Sequence, residues 1–246
     1  MKITRAAALA IVAVATAVSL FGDWRLAAQS AASPDQMVAS LKTNLQESQK
    51  RLRTYQWIET TVISLKGEEK SRKQQQVSYG ADGKLTKTPM GGAPQAQQQP
   101  SRGGRGGRLK ERVVENKKDE MQDYMERAAA LIQRYVPPSP ELIQKAKDGG
   151  HVKLQPPNQG RVRVELSEFV QPGDLLAIDV DAAASQLAGV SVKTYLDKPE
   201  EAVTLDVRYA TLTDGTSYIS QTTLNAAAKN IIVVVQNSGH KPLAAR

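Results

Sequence analysis

Apolar residues recur along this chain with two different periods, and the changes of period divide it into elements. Met37, Val38, Leu41, Leu45 and Leu52 fall at helical spacing and predict an amphipathic helix over residues 34–54. Ser33 is placed to cap it, Pro34 suits its first position, and Lys50, Arg51 and Arg53 suit its last turn. From Tyr55 to Leu65 the composition turns to Tyr, Trp, Ile, Thr and Val, which predicts a strand. A turn at Lys66-Gly67-Glu68-Glu69, a weakly buried strand over Ser71 to Tyr79, a turn at Gly80-Ala81-Asp82-Gly83 and a short strand over Lys84 to Thr88 complete an antiparallel meander.

Leu109 to Tyr135 carries the longest helical stripe, with Val113, Met121, Tyr124, Met125, Ala128, Leu131 and Ile132 on one face and acidic residues and Lys118 on the others. Pro137 and Pro138 stop it. Ser139 caps a short helix that starts at Pro140 and ends at Gly149-Gly150. Beyond it the period is two. His151 opens a strand, and further strands are predicted around Val162–Leu166, Leu176–Val180, Val190–Leu196, Val203–Tyr209, Tyr218–Leu224 and Ile231–Val235. Strands with one apolar side need a cover, and the amphipathic helices supply it. The predicted fold is α+β: a curved antiparallel sheet of the half-barrel kind, covered on one face by helices.

Two segments stand outside this pattern. Lys2 and Arg5 precede an uncharged run from Ala6 to Gly22; Asp23, Trp24 and Arg25 follow, then mostly small residues as far as Ala32. That arrangement predicts a signal peptide over 1–32 and an exported, periplasmic or secreted product that is not an integral membrane protein after cleavage. Residues 33–246 then form a single domain. Pro89 to Arg108 is rich in Pro, Gly, Gln and Arg and is predicted to be a flexible low-complexity loop within it.

Composition enters here mainly through what it excludes. Among 246 residues there is no cysteine and there are two histidines, which leaves no thiol nucleophile, disulfide or cysteine-ligated metal. Aromatic residues make up 4% of the chain, too few for a base-stacking platform. The formal charge of +8 falls to about +6 once residues 1–32, with three basic residues and one acidic, are removed. Arg102, Arg105 and Arg108 concentrate part of it in the loop, so they are the candidates for an anionic envelope partner, and no nucleic acid is expected. Asp179 and Asp181 share a strand face and are the only candidates for a hydrolytic carboxylate pair, although the solvated side of a strand reads the same way. His151 reads as a turn residue, His240 as part of a polar tail, and Ser238-Gly239-His240-Lys241 as a chance Ser-x-x-Lys spacing in that tail. No cofactor, metal site or enzymatic activity is expected.

The element order, together with Tyr55-Gln56-Trp57-Ile58-Glu59 and Tyr79-Gly80-Ala81-Asp82-Gly83-Lys84, resembles the periplasmic lipoprotein-carrier superfamily of LolA-like and LppX-like half-barrels. Tyr135-Val136-Pro137-Pro138, Tyr195-Leu196-Asp197 and Asp214-Gly215-Thr216 also make it similar to uncharacterised exported bacterial proteins. The superfamily resemblance implies a concave apolar sheet under helices that holds acyl chains, and hence a carrier or chaperone for lipid or lipidated protein. On the apolar pattern, Trp57, Ile63, Met121, Met125, Leu131, Ile178 and Leu205 are the candidate lining residues of such a cavity. The competing expectation is an envelope interaction protein with a filled core, binding through the Arg-Gly-Gly loop.

Overall fold

The computed structural model describes residues 34–90 and 107–243. The expected signal peptide and most of the expected loop, with Arg102 and Arg105, lie outside them. The elements run α1 (Pro34–Leu52), β1 (Tyr55–Leu65), β2 (Glu68–Tyr79), β3 (Leu85–Pro89), α2 (Gly107–Ile132), α3 (Pro140–Asp148), β4 (Val152–Asn158), β5 (Arg161–Ser167), β6 (Leu175–Asp181), β7 (Gln186–Tyr195), β8 (Ala202–Thr211), β9 (Ser217–Ala226), a 3-10 turn (Ala227–Lys229) and β10 (Ile231–Pro242). The fold is α+β, as the patterning indicates.

All ten strands form one curved, unclosed antiparallel sheet in the order β3-β2-β1-β10-β9-β8-β7-β6-β5-β4. Two meanders, β1 to β3 and β4 to β10, are therefore joined by a single ladder between β1 and β10, from Tyr55 opposite Pro242 to Leu65 opposite Ile231. The pairing carries one apolar row across eight strands: Val152, Leu166, Leu176, Val192, Leu205, Leu224, Val233 and Ile63 stand opposite one another in turn. Directly opposed residues share a face, so this row is the spine of the inner face. Leu41 and Leu45 of α1, Ala128, Leu131 and Ile132 of α2, and Ile143 and Ala146 of α3 pack on it.

Several boundaries differ from expectation for local reasons. The β1–β2 turn shrinks to Lys66-Gly67, because both residues take positive φ (54° and 82°), the geometry of a two-residue hairpin turn. Helix α1 ends at Leu52 and α2 at Ile132, with Tyr135 buried in the turn beyond α2. Arg108, expected in the loop, lies in the first turn of α2. The expected C-terminal tail is a correction: β10 continues to Pro242, since its extension pairs with Tyr55 and Gln56 across a bulge. No helix among the described residues is long and apolar enough to cross a membrane.

Candidate functional site

Burial is uneven along the apolar row. From Leu166 to Leu205 the side chains are sealed, with Leu176 and Val192 fully inaccessible and Leu166 and Leu205 at 1%. Past Leu224 the row loosens, and Val233 and Ile63 are only part-buried. Helix α2 crosses this transition. Its later turns, Ala128 to Ile132, belong to the main cluster, and Tyr124 anchors a second, smaller cluster with Ala226 and Ile231. Met121, Ile63 and Leu65 pack around that second cluster, and Met125, Leu196 and Val233 touch both.

The candidate lining residues divide accordingly. Leu131 and Leu205 are buried in the main cluster and Ile178 packs against it. Ile63 and Met121 meet at the second cluster, with Met125 between the two. Trp57 stands apart. It is buried, its Nε1 donates to Asn237 Oδ1 at 3.1 Å, and its ring stacks on His240 at 5.6 Å and lies 5.9 Å from Tyr79. His240 is thus a partner of Trp57 and Tyr218 (4.1 Å), and burial pushes its pKa down. Val233, Leu65, Leu196 and Ile231 were not legible as site residues. Val233 and Ile231 come beside Ile63 and Leu65 through the β1–β10 register, which spans most of the chain, and Leu196 joins them from the turn after β7.

A second feature is an open groove of about 1060 Å³ between α3 and residues 168–172. Ile143 and Ala146 contribute from α3, Val170 and Pro172 from the facing segment, and His151 and Glu168 contribute polar groups. The His151 imidazole Nε2 is 3.6 Å from Glu168 Oε2. Gly149 lets the ring lie there, since a Cβ at that position would fall 2.5 Å from His151 Cδ2.

The facing segment is held by a buried carboxylate. Asp174 Oδ1 accepts from the Phe169 amide at 2.6 Å, and Oδ2 from the Val170 and Gln171 amides at 2.9 and 2.8 Å. The Tyr135 hydroxyl donates to Oδ2 at 2.5 Å and receives the Thr194 hydroxyl at 2.7 Å. Gln171 Nε2 donates in turn to Thr194 Oγ1 and to the Tyr195 carbonyl. Burial, and then the Asp174 hydrogen bond, push the Tyr135 phenol well above its ordinary range. It is a permanent donor, and this chain of bonds is structural.

The other polar candidates are engaged elsewhere. Asp179 receives both Nε and Nη2 of Arg163 at 2.7 Å, and Asp181 Oδ1 accepts the Ala184 amide at the β6–β7 turn. These contacts account for both carboxylates as an ion pair and a turn cap on the outer face. No group of three or more His, Asp or Glu side chains that could hold a metal ion occurs among the described residues. Ser238 and Lys241 lie on β10 and not in a tail.

No family model matches the sequence, and no curated protein matches it. Among solved structures, the chain is similar to a LolA superfamily protein from Nitrosomonas europaea, with a TM-score of 0.36 and 9% identity over 84% of this chain and 94% of that one. It is also similar to a DUF1329 family protein from Desulfovibrio piger ATCC 29098, with a TM-score of 0.36 and 11% identity over 85% of this chain and 93% of that one. Likeness at these scores and identities carries nothing about ligand or activity.

Proposed function

We propose that this chain is an exported binding protein that holds an acyl chain of a lipid or lipidated protein against the β10–β1 end of the inner sheet face, beside α2. The observation that supports this is the change in burial along one continuous apolar row. The row is sealed over β5 to β8 and only part-buried where Val233 and Ile63 lie by Met121 and Met125. A filled core needs no such extension, whereas a methylene chain laid along it completes the burial. The driving force is about 25 cal/mol for each Å² of apolar surface removed from water, set against the cost of ordering both partners. Methionine suits the contact because its unbranched thioether adapts to chains of different shape. The reading involves no catalytic step and no cofactor.

The test is to purify the processed protein from a bacterial envelope, extract it with organic solvent and analyse the extract by mass spectrometry, then titrate a fluorescent fatty-acyl probe. Acyl lipid in the extract and probe binding that is lost in Ile63→Glu, with the far-ultraviolet circular dichroism spectrum unchanged, is the expected result. An empty extract together with no probe binding overturns the reading.

A further inference from the structure

The Tyr124 side chain is buried to within 6% of full coverage, and among the described residues its hydroxyl has no hydrogen-bond partner. Buried tyrosines ordinarily pair the hydroxyl, because an unpaired polar group out of water is costly, so each exception needs an explanation. The place of this one is specific. Tyr124 packs with Ala226 and Ile231, and around them lie Ile63, Leu65, Leu196, Val233, Met121 and Met125. Ala226 closes β9, Ile231 opens β10, Leu65 closes β1 and Leu196 follows β7, so the ring sits at one strand-end rim of the proposed acyl site.

The charges at this rim cancel. Lys229 Nζ lies 5.5 Å from the Tyr124 ring centroid, and Arg127 Nη2 binds Asp197 Oδ2 at 2.5 Å. Asp197 and Glu201 balance Lys229 and Arg127, and of these charges Glu201 acts most on the phenol, with Arg127 opposing it. Burial, and after it the Glu201 carboxylate, push the Tyr124 pKa up. The group is a neutral donor at every physiological pH. Arg127 and Asp197 are committed to each other, so an ionised carboxylate here would find Glu201 offsetting Lys229 and no net positive charge to hold it. A neutral carbonyl oxygen needs none.

We infer that Tyr124 is the head-group donor of the acyl site, its hydroxyl donating to the carbonyl oxygen of an ester-linked acyl chain, so that the protein takes acyl esters in preference to free fatty acids. This rests on the acyl-binding reading given above and adds to it the chemical class of the ligand.

The experiment uses the processed chain with three ligands of matched length, methyl palmitate, palmitic acid and hexadecane, each competing against a fluorescent acyl probe at pH 7.5. The wild type should bind methyl palmitate most tightly. Tyr124→Phe should weaken methyl palmitate about tenfold, equivalent to about 1.4 kcal/mol, and leave hexadecane unchanged. Without ligand the variant should melt no lower than the wild type, because it loses a hydroxyl that had no partner. The comparison of methyl palmitate with hexadecane on the wild type deletes the same hydrogen bond from the ligand side and does not depend on the variant. Equal binding of the ester by wild type and Tyr124→Phe, or a wild-type preference for palmitic acid, overturns the assignment and leaves acyl binding standing. Failure of the wild type to bind any of the three overturns both.

Discussion

Removal of the Asp174 carboxylate should be among the most damaging single changes to this fold. The side chain is 2% exposed and accepts four hydrogen bonds, from the amides of Phe169, Val170 and Gln171 and from the Tyr135 hydroxyl. Bonds to a charged group contribute about 1.5–3 kcal/mol each when deleted singly. The four are not additive, because the carboxylate regains hydration in the unfolded chain and the freed amides find some water. An expected loss for Asp174→Ala is about 4 kcal/mol, a large share of the 5–15 kcal/mol typical of a domain. Tyr135→Phe removes one donor and leaves the three amides paired, so its expected loss is about 1–2 kcal/mol. Urea unfolding followed by far-ultraviolet circular dichroism measures both. A loss under about 1.5 kcal/mol for Asp174→Ala, or one no larger than that of Tyr135→Phe, would refute the view that this carboxylate organises the 168–174 segment.

Two further predictions concern single positions. The Ser139 hydroxyl caps α3 by accepting the Leu142 amide at 3.2 Å, so Ser139→Ala should cost about 1 kcal/mol in urea unfolding, and no measurable loss would show the cap to be idle. Burial lowers the pKa of His240 in the folded protein, so the unfolded chain binds the extra proton first; its contribution to stability is complete above the unperturbed value of about 6.5 and is lost as pH falls through that value towards the folded one. His240→Phe, which preserves an aromatic ring beside Trp57, should therefore lose less stability than the wild type between pH 8 and pH 5, and identical pH profiles would count against this.

Much of the architecture is legible in the sequence because it is written in local period. Tyr55 to Leu65 is dense in Tyr, Trp, Ile, Thr and Val and forms β1 with those bounds, and the Ser139-Pro140 cap followed by Gly149 delimits α3 as read. What escapes is set by distant partners. Nothing local marks residues 236–242 as strand, since they are polar and contain Gly239; they are strand because β1 lies alongside them. The same reasoning explains the site. Ile63, Met121 and Met125 can be named from their stripes, but Val233 joins them only through register, and Tyr124 reads as one more core aromatic until the absence of a partner for its hydroxyl among the described residues is known. Asp174, in a Gln-Pro-Gly-Asp turn, gives no hint that three amides fold back onto it.

The single ladder that joins the two meanders also governs the order in which the molecule can be assembled. Trp57 finds its hydrogen-bond partner 180 positions further along the chain, at Asn237. A ribosome therefore releases β1 long before the strand that seats it exists, and β4 to β10 must arrive before the first three strands have an edge to dock on. Such non-local pairing makes folding slow and leaves β1, paired locally with β2, waiting with its other edge open. Under the export proposed above, late closure is an advantage, since the sheet cannot be completed until the C-terminal strand has emerged on the far side.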